Sequence, residues 1–191
     1  MIKTTFSGER EVKRVIEQTT SERTWRAIYR LLDRVSPVPY DCGTLCGAAC
    51  CCAGGDEMGI YLLPGEEKLH PRPADPEDDW LIWREDVPEE HNLPENWPAP
   101  AYFVKCKNPP NCPREMRPFQ CRTFPLKPFI NEDGILELVY NRDDLPYKCP
   151  LVHEEAELNV DFFKATYTAW YHLLNDPAVL ELVAEDSDLW L

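Results

Sequence analysis

A chain of 191 residues with 34 acidic against 20 basic side chains, a formal net charge of −14, is repelled on average by nucleic acid and by anionic membrane surfaces. Its hydrophobic content of 43% and its six Trp exclude wholesale disorder, and folding at this size buries roughly 70% of the unfolded surface, enough for an apolar core. No run approaches the ~20 apolar residues of a membrane helix and the opening residues show no apolar signal-peptide segment, so the chain reads as soluble, cytoplasmic and free of membrane or nucleic-acid partners.

Along the chain, residues 1–36, 37–150 and 151–191 form three parts of an expected single domain, 1–191. In the first, Trp25, Ile28, Tyr29, Leu32 and Val35 recur at helical spacing and predict an amphipathic helix. The middle part holds eighteen of the nineteen prolines and all nine cysteines. Proline removes a backbone donor and interrupts helices and inner strands alike. Only brief strands are therefore expected, in "MGIYLL" (58–63), "WLIW" (80–83), "YFVKC" (102–106) and "ILELVYN" (135–141). In the last part, Phe163, Tyr167, Trp170, Tyr171 and Leu174 predict a second amphipathic helix. Asp176 and Pro177 then supply an N-cap and a first-position proline for a short helix through about Val183.

Charge is unevenly placed. Residues 75–96 carry nine carboxylates against the single Arg84, a solvated acidic face that offers a docking surface to a basic protein partner. Residues 101–130 reverse this, with Lys105, Lys107, Arg114, Arg117, Arg122 and Lys127 against Glu115 alone.

The cysteines carry the chemistry. In a reducing compartment clustered thiols are metal ligands more often than disulfides, and the adjacent Cys50, Cys51 and Cys52 cannot be bridged without strain. In "CGTLCGAACCC" (42–52), Cys42, Cys46 and Cys50 are spaced closely enough for two thiolates to reach one tetrahedral ion. Gly43, Gly47, Gly54 and Gly55 favour a tight loop curled around a centre over a continuous helix. Were residues 50–52 extended, Cys50 and Cys52 would face one side and Cys51 the other. The second group is Cys106, Cys112 and Cys121 in "CKNPPNCPREMRPFQCRTFP", with Cys149 following in "YKCP". Two four-thiolate sites and one cluster with bystanders both fit this count. Four thiolates around a divalent ion leave a charge near −2, and Arg117 and Arg122, flanking Cys121, are the natural counter-cations.

Together "CGTLCGAACC", "MGIYLLPGEE", "RPFQCRTFP" and "YKCP" resemble the YkgJ-like cysteine-cluster family, a zinc- or iron-chelating domain, over roughly residues 42–150. The resemblance implies a metal set of Cys42, Cys46, Cys50, Cys51, Cys106, Cys112, Cys121 and Cys149, with Arg117, Pro118 and Arg122 in the motif around Cys121. This chain has three residues before its cysteine run and a third cysteine within it, which leaves the family's paired positions to Cys50 and Cys51 or to Cys51 and Cys52. A similar cluster occurs in flagellin lysine methylases, which implies a catalytic relative.

Other chemistry has weaker support. His153, four residues after Cys149, joins the ligand set only if a helical turn follows Pro150; His70, His91 and His172 have no recognisable partner. "CAGG" lacks the Lys and Ser or Thr of a phosphate loop, and no Cys-His nucleophile signature or alternating strand-helix barrel is present. The expectation is an α+β protein: an irregular, cysteine- and proline-rich metal-binding centre with short strands, covered by N- and C-terminal helices. Its cofactor is zinc or iron, the iron also as an iron-sulfur cluster. Two further function classes are a metal-dependent redox or methyl-transfer enzyme, with catalytic residues unassigned, and an acidic interaction adaptor.

Overall fold

The structure, a computed structural model, describes residues 19–52, 58–142, 145–154 and 156–189. Gly54 and Gly55, expected to bend the cysteine loop, lie outside them. Among the described residues seven α-helical segments and two small antiparallel sheets make a mixed α+β fold. No helix among them is long and apolar enough to cross a membrane.

Helix α1, Glu22–Leu32, starts where Ser21 Oγ accepts from Thr24 N, and it buries Trp25, Ile28, Tyr29 and Leu32. Helix α6, Val160–Leu173, is capped by Asn159, whose side chain accepts from Asp161 N. Its buried face is Phe162, Ala165, Thr166, Ala169, Trp170 and Leu173; of the expected face Trp170 is buried and Tyr167 and Leu174 pack against the core, whereas Phe163 and Tyr171 are exposed. Ala165 and Ala169 allow α6 to lie close against α1, and that close approach outweighs the size of the aromatic rings. Helix α7, Pro177–Asp188, begins at the expected cap, but Asp176 does more than cap. Its buried carboxylate accepts from Ala178 N, from Thr20 N at 2.7 Å and from Thr20 Oγ1, tying the start of α7 to the approach to α1.

The strands are β1 (Ile60–Tyr61), β2 (Leu81–Asp86), β3 (Ala101–Cys106), β4 (Leu126–Ile130) and β5 (Leu136–Tyr140). The first three form a sheet in the order β1-β3-β2, with Trp83 opposite Val104 and Leu81 opposite Cys106. Strands β4 and β5 form a hairpin that pairs Leu126 with Tyr140 and Pro128 with Leu138. The proline-based expectation missed β4. A two-stranded ladder leaves alternate donors facing away from the partner, and there Pro128 forfeits no bond.

The main core joins all three parts of the chain: Trp25, Tyr29, Leu63, Phe119, Ala169, Trp170 and Val179 are in one cluster. Phe119 is its hinge, edge-on to both Trp25 (5.6 Å) and Trp170 (4.9 Å). The acidic turn "PGEE" is seated against the same core. Trp25 Nε1 donates to Pro64 O, and Gly65 has φ +84°, with a hypothetical Cβ only 2.5 Å from Thr20 O, so glycine alone fits there. Buried in that turn is Glu66, whose role emerges below.

Of the nine carboxylates in residues 75–96, seven are exposed, as expected of a solvated acidic face, and Asp79 and Asp86 are drawn inward. Asp79 is buried, accepting from Leu81 N and Trp83 Nε1. Glu77 pairs with Lys107, Glu85 with Arg72 and Asp86 with Arg84, while Asp86 also accepts from Tyr61 Oη. Much of this charge is consumed in holding the β1-β3-β2 sheet and its flanks. His91, expected to have no partner, lies 3.5 Å from Asp86 and packs on Tyr61.

Candidate metal centre

Two single helical turns carry the first cysteines: α2, Gly43–Cys46, and α3, Ala49–Cys52. Gly47 (φ 62°) and Ala48 (φ 54°) break the chain between them, so the expected loop is realised as a helical kink. Cys50, Cys51 and Cys52 are helical, which corrects the extended alternation: successive residues turn by about 100° instead of 180°. Cys50 and Cys51 come together, Sγ to Sγ at 3.9 Å. Cys52 is exposed.

The second group is brought in from three other elements. Cys106 ends β3, Cys112 follows in the turn beyond it, and Cys121 sits in the five-residue helix α4, Phe119–Thr123. Cys149 caps α5, Pro150–His153, and is buried beside Val38, Leu151 and Val152 with Cys42 packed against them. That turn does follow Pro150, yet His153 is exposed on it. All nine cysteines are free.

Mutual electrostatics show which thiols are neighbours. Cys106 and Cys112 shift each other's ionisation, the Cys112 thiol donates to Pro113 O at 3.3 Å, and the charges of Cys51 and Cys121 reach both. Cys42 is influenced by Cys149 and Cys46, and it in turn reaches Cys50. Pairwise electrostatic influence thus links Cys42, Cys46, Cys50, Cys51, Cys106, Cys112, Cys121 and Cys149, while Cys50 and Cys51 are the pair in direct sulfur contact among the described residues. The ring of Tyr147 lies among them, its phenol pushed up by burial and then by Cys50, Cys149, Cys121 and Cys51. Cys121, although its surface is exposed, is surrounded by dense protein, and this desolvation, with the charges of Cys51, Cys112 and Glu66, pushes its thiol up to about 12.

Within each close pair one thiol holds the proton and the other gives it up. The hydrogen bond from Cys50 lowers Cys51 to about 6, assisted by Arg117, and Cys50 is raised correspondingly. The neighbouring Cys106 thiol lowers Cys112 to about 7, again with help from Arg117. Thiolate is the nucleophile, so alkylation of Cys51 in metal-free protein is expected to accelerate with pH only up to about 6 and then level off. An ordinary cysteine accelerates until about 8.5. Iodoacetamide labelling followed by peptide mass mapping from pH 5 to 9 should find Cys51 ahead of the exposed Cys52 at neutral pH, and Cys52 reacting first would contradict the pairing.

Arg117 and Arg122 have different jobs, although both were expected to act as counter-cations. The Arg117 charge acts on Cys42, Cys51, Cys112 and Cys121 and favours their ionised forms. Among the described residues it pairs with no carboxylate. Arg122 is instead a buried clamp: its guanidinium pairs with Asp33, donates to Arg117 O (2.7 Å) and Arg114 O (2.8 Å), and covers the Tyr29 ring at 4.1 Å.

The donor set can be tested against a metal. Two thiolates on a tetrahedral zinc, with bonds of about 2.3 Å, stand about 3.8 Å apart, close to the 3.9 Å between Cys50 and Cys51. Among the described residues no three Cys, His, Asp or Glu side chains stand as a coordinating group. Sequence reasoning missed the residues beneath the cluster. Glu66 and His70 are almost wholly buried and meet at Tyr29, where His70 was expected to be alone in a loop. An acid and an imidazole in a polar, proline-rich stretch carry no local sign of burial. Comparison with protein-family models, with curated proteins and with solved structures found no match in any of the three.

Proposed function

We propose that this chain is a metal-binding protein that holds zinc or iron, the iron as an ion or an iron-sulfur cluster, through Cys42, Cys46, Cys50, Cys51, Cys106, Cys112, Cys121 and Cys149. The observation that carries this reading is Arg117. A guanidinium stays charged at every accessible pH and requires an anion when half-buried. Here its neighbours are thiols from four separate stretches of chain. Cys51 and Cys112, which this charge helps to ionise, supply it with negative charge, and such preset thiolates are the donors a soft metal ion takes. The resemblance of the four cysteine motifs to a zinc- or iron-chelating domain supports the same reading.

In this reading the protein's part is to gather soft sulfur donors, set their charge with Arg117 and exclude Cys52. Bound metal supplies Lewis acidity or, as an iron-sulfur cluster, electron transfer. Elemental analysis and a visible absorption spectrum of protein purified without oxygen test the proposal. Either colourless protein with stoichiometric zinc or brown protein with iron and sulfide is expected. Cys51→Ser and Cys121→Ser should lose metal, and Cys52→Ser should keep it. Native protein free of both metals that also fails to take up added zinc, iron or cobalt would overturn it.

A further inference from the structure

The geometry points to Glu66 as a positioning residue of the thiol centre: its buried carboxylate holds the helix that carries Cys121 in the pose a metal requires. This rests on the reading of the cysteines as ligands.

Helix α4 has five residues and cannot hold itself, since isolated helices below about 12 residues are marginal in water. Its first backbone donors need partners, and the capping residue Pro118 offers no side-chain bond. The missing cap comes from a remote part of the chain. Glu66 Oε1 accepts from Phe119 N at 2.6 Å, across 53 positions of sequence. The same carboxylate accepts from Leu63 N at 3.0 Å through Oε2 and from Tyr29 Oη at 2.5 Å through Oε1. Three donors from α1, the acidic turn and α4 thus converge on one side chain that is 1% exposed.

A fourth group sets the direction of the network. His70 Nε2 lies 3.0 Å from Tyr29 Oη. The single Tyr29 proton goes to Glu66, so the imidazole donates from Nε2, and Nδ1 remains a buried lone pair with no partner. Hydrogen bonds therefore run one way, from His70 to Tyr29 to Glu66, and Arg122 presses the Tyr29 ring from outside at 4.1 Å. Tyr29 cannot swing away, and through Glu66 neither can Phe119. Cys121 stands two residues beyond Phe119 in the same short helix, so displacement of one moves the other. Metal sites tolerate bond-length errors of only about 0.2 Å, and loss of an outer-shell partner weakens affinity by about 10- to 100-fold.

Cobalt(II) titration of the full chain under reducing conditions tests this, read by the thiolate-to-cobalt charge-transfer band and the visible d–d bands. Glu66→Gln keeps one acceptor but loses the second and places an amide N–H against Leu63 N–H. It is expected to bind cobalt about 10- to 100-fold more weakly, with charge-transfer intensity lower by about one thiolate's share. Tyr29→Phe removes one of the three donors yet leaves Glu66 on Leu63 N–H and Phe119 N–H; its melting temperature should fall, and its cobalt affinity should drop less than that of Glu66→Gln. If Glu66→Gln does not fold, Glu66→Asp, which withdraws the carboxylate by one methylene, gives the same readout. Native affinity and spectrum in the folded Glu66 variant, with only the melting temperature lowered, would reduce Glu66 to a structural residue and overturn the inference. Failure of the unmodified chain to take up cobalt would instead overturn the metal-centre reading itself.

Discussion

Chain stripped of metal under reducing conditions is expected to keep most of its helix signal while losing order in residues 42–52 and 106–113, and reloading should restore both that order and a single melting transition. The reason lies in where apolar burial is found. Helices α1, α6 and α7 share the large core around Trp25, Phe119 and Trp170 and need nothing from the cysteines. Helices α2 and α3 are four residues each and bury none of them. The small cluster of Val38, Cys149, Leu151 and Val152 is the nearest apolar support. Such turns are far below the length at which isolated helices hold themselves, and on the proposed reading ligation supplies what packing does not. Structural zinc gives about 10 to 16 kcal/mol of apparent binding energy in small peptides. Free metal at about a thousandfold over Kd stabilises by about 4 kcal/mol, and at about 2–4 °C per kcal/mol the melting shift is on the order of 10 °C. Far- and near-ultraviolet circular dichroism during heating checks both parts. Coincident curves for verified metal-free and loaded protein would remove metal from the folding of this region.

What was legible beforehand divides along a physical line. The start of α7 and the buried face of α1 could be read because Asp176-Pro177 and the Trp25, Ile28, Tyr29, Leu32 stripe are local signals. The face of α6 was read in part: Trp170, Tyr167 and Leu174 lie on it, whereas Ala165 and Ala169 were missed because their value depends on a neighbouring helix the sequence does not display. Strand β4 was hidden by Pro128, which is costly only in a strand paired on both sides. Cys106, Cys112, Cys121 and Cys149 were grouped with the 42–52 turns from motif alone, and the helical state of Cys50 to Cys52 was not anticipated. Glu66 was least legible of all. Its partners Tyr29, Leu63 and Phe119 span most of the middle of the chain, and a buried carboxylate is recognised only when its donors are in view.

Arg122→Ala is expected to destabilise the protein by about 3–5 kcal/mol, the range for removing one member of a buried charged network, whereas Asp33→Ala should cost no more than about 1 kcal/mol. The asymmetry follows from solvent. The Arg122 side chain is 1% exposed and the Asp33 side chain 42%, so water replaces the guanidinium at Asp33 but cannot reach the buried end of the clamp. There, Arg117 O and Arg114 O would lose their donor and the Tyr29 ring its cover. Arg122→Lys should recover little, because one ammonium cannot reproduce a planar fork that serves a carboxylate, two carbonyls and a ring together. Urea unfolding of the metal-free variants measures these costs. Arg117→Gln should behave in the opposite way, with metal-free stability near native and cobalt affinity reduced, since its guanidinium faces thiols. If Arg122→Lys kept full stability and lost cobalt, the two arginines of "RPFQCR" would have to exchange roles, and the charge that balances the thiolates would sit on the other side of Cys121.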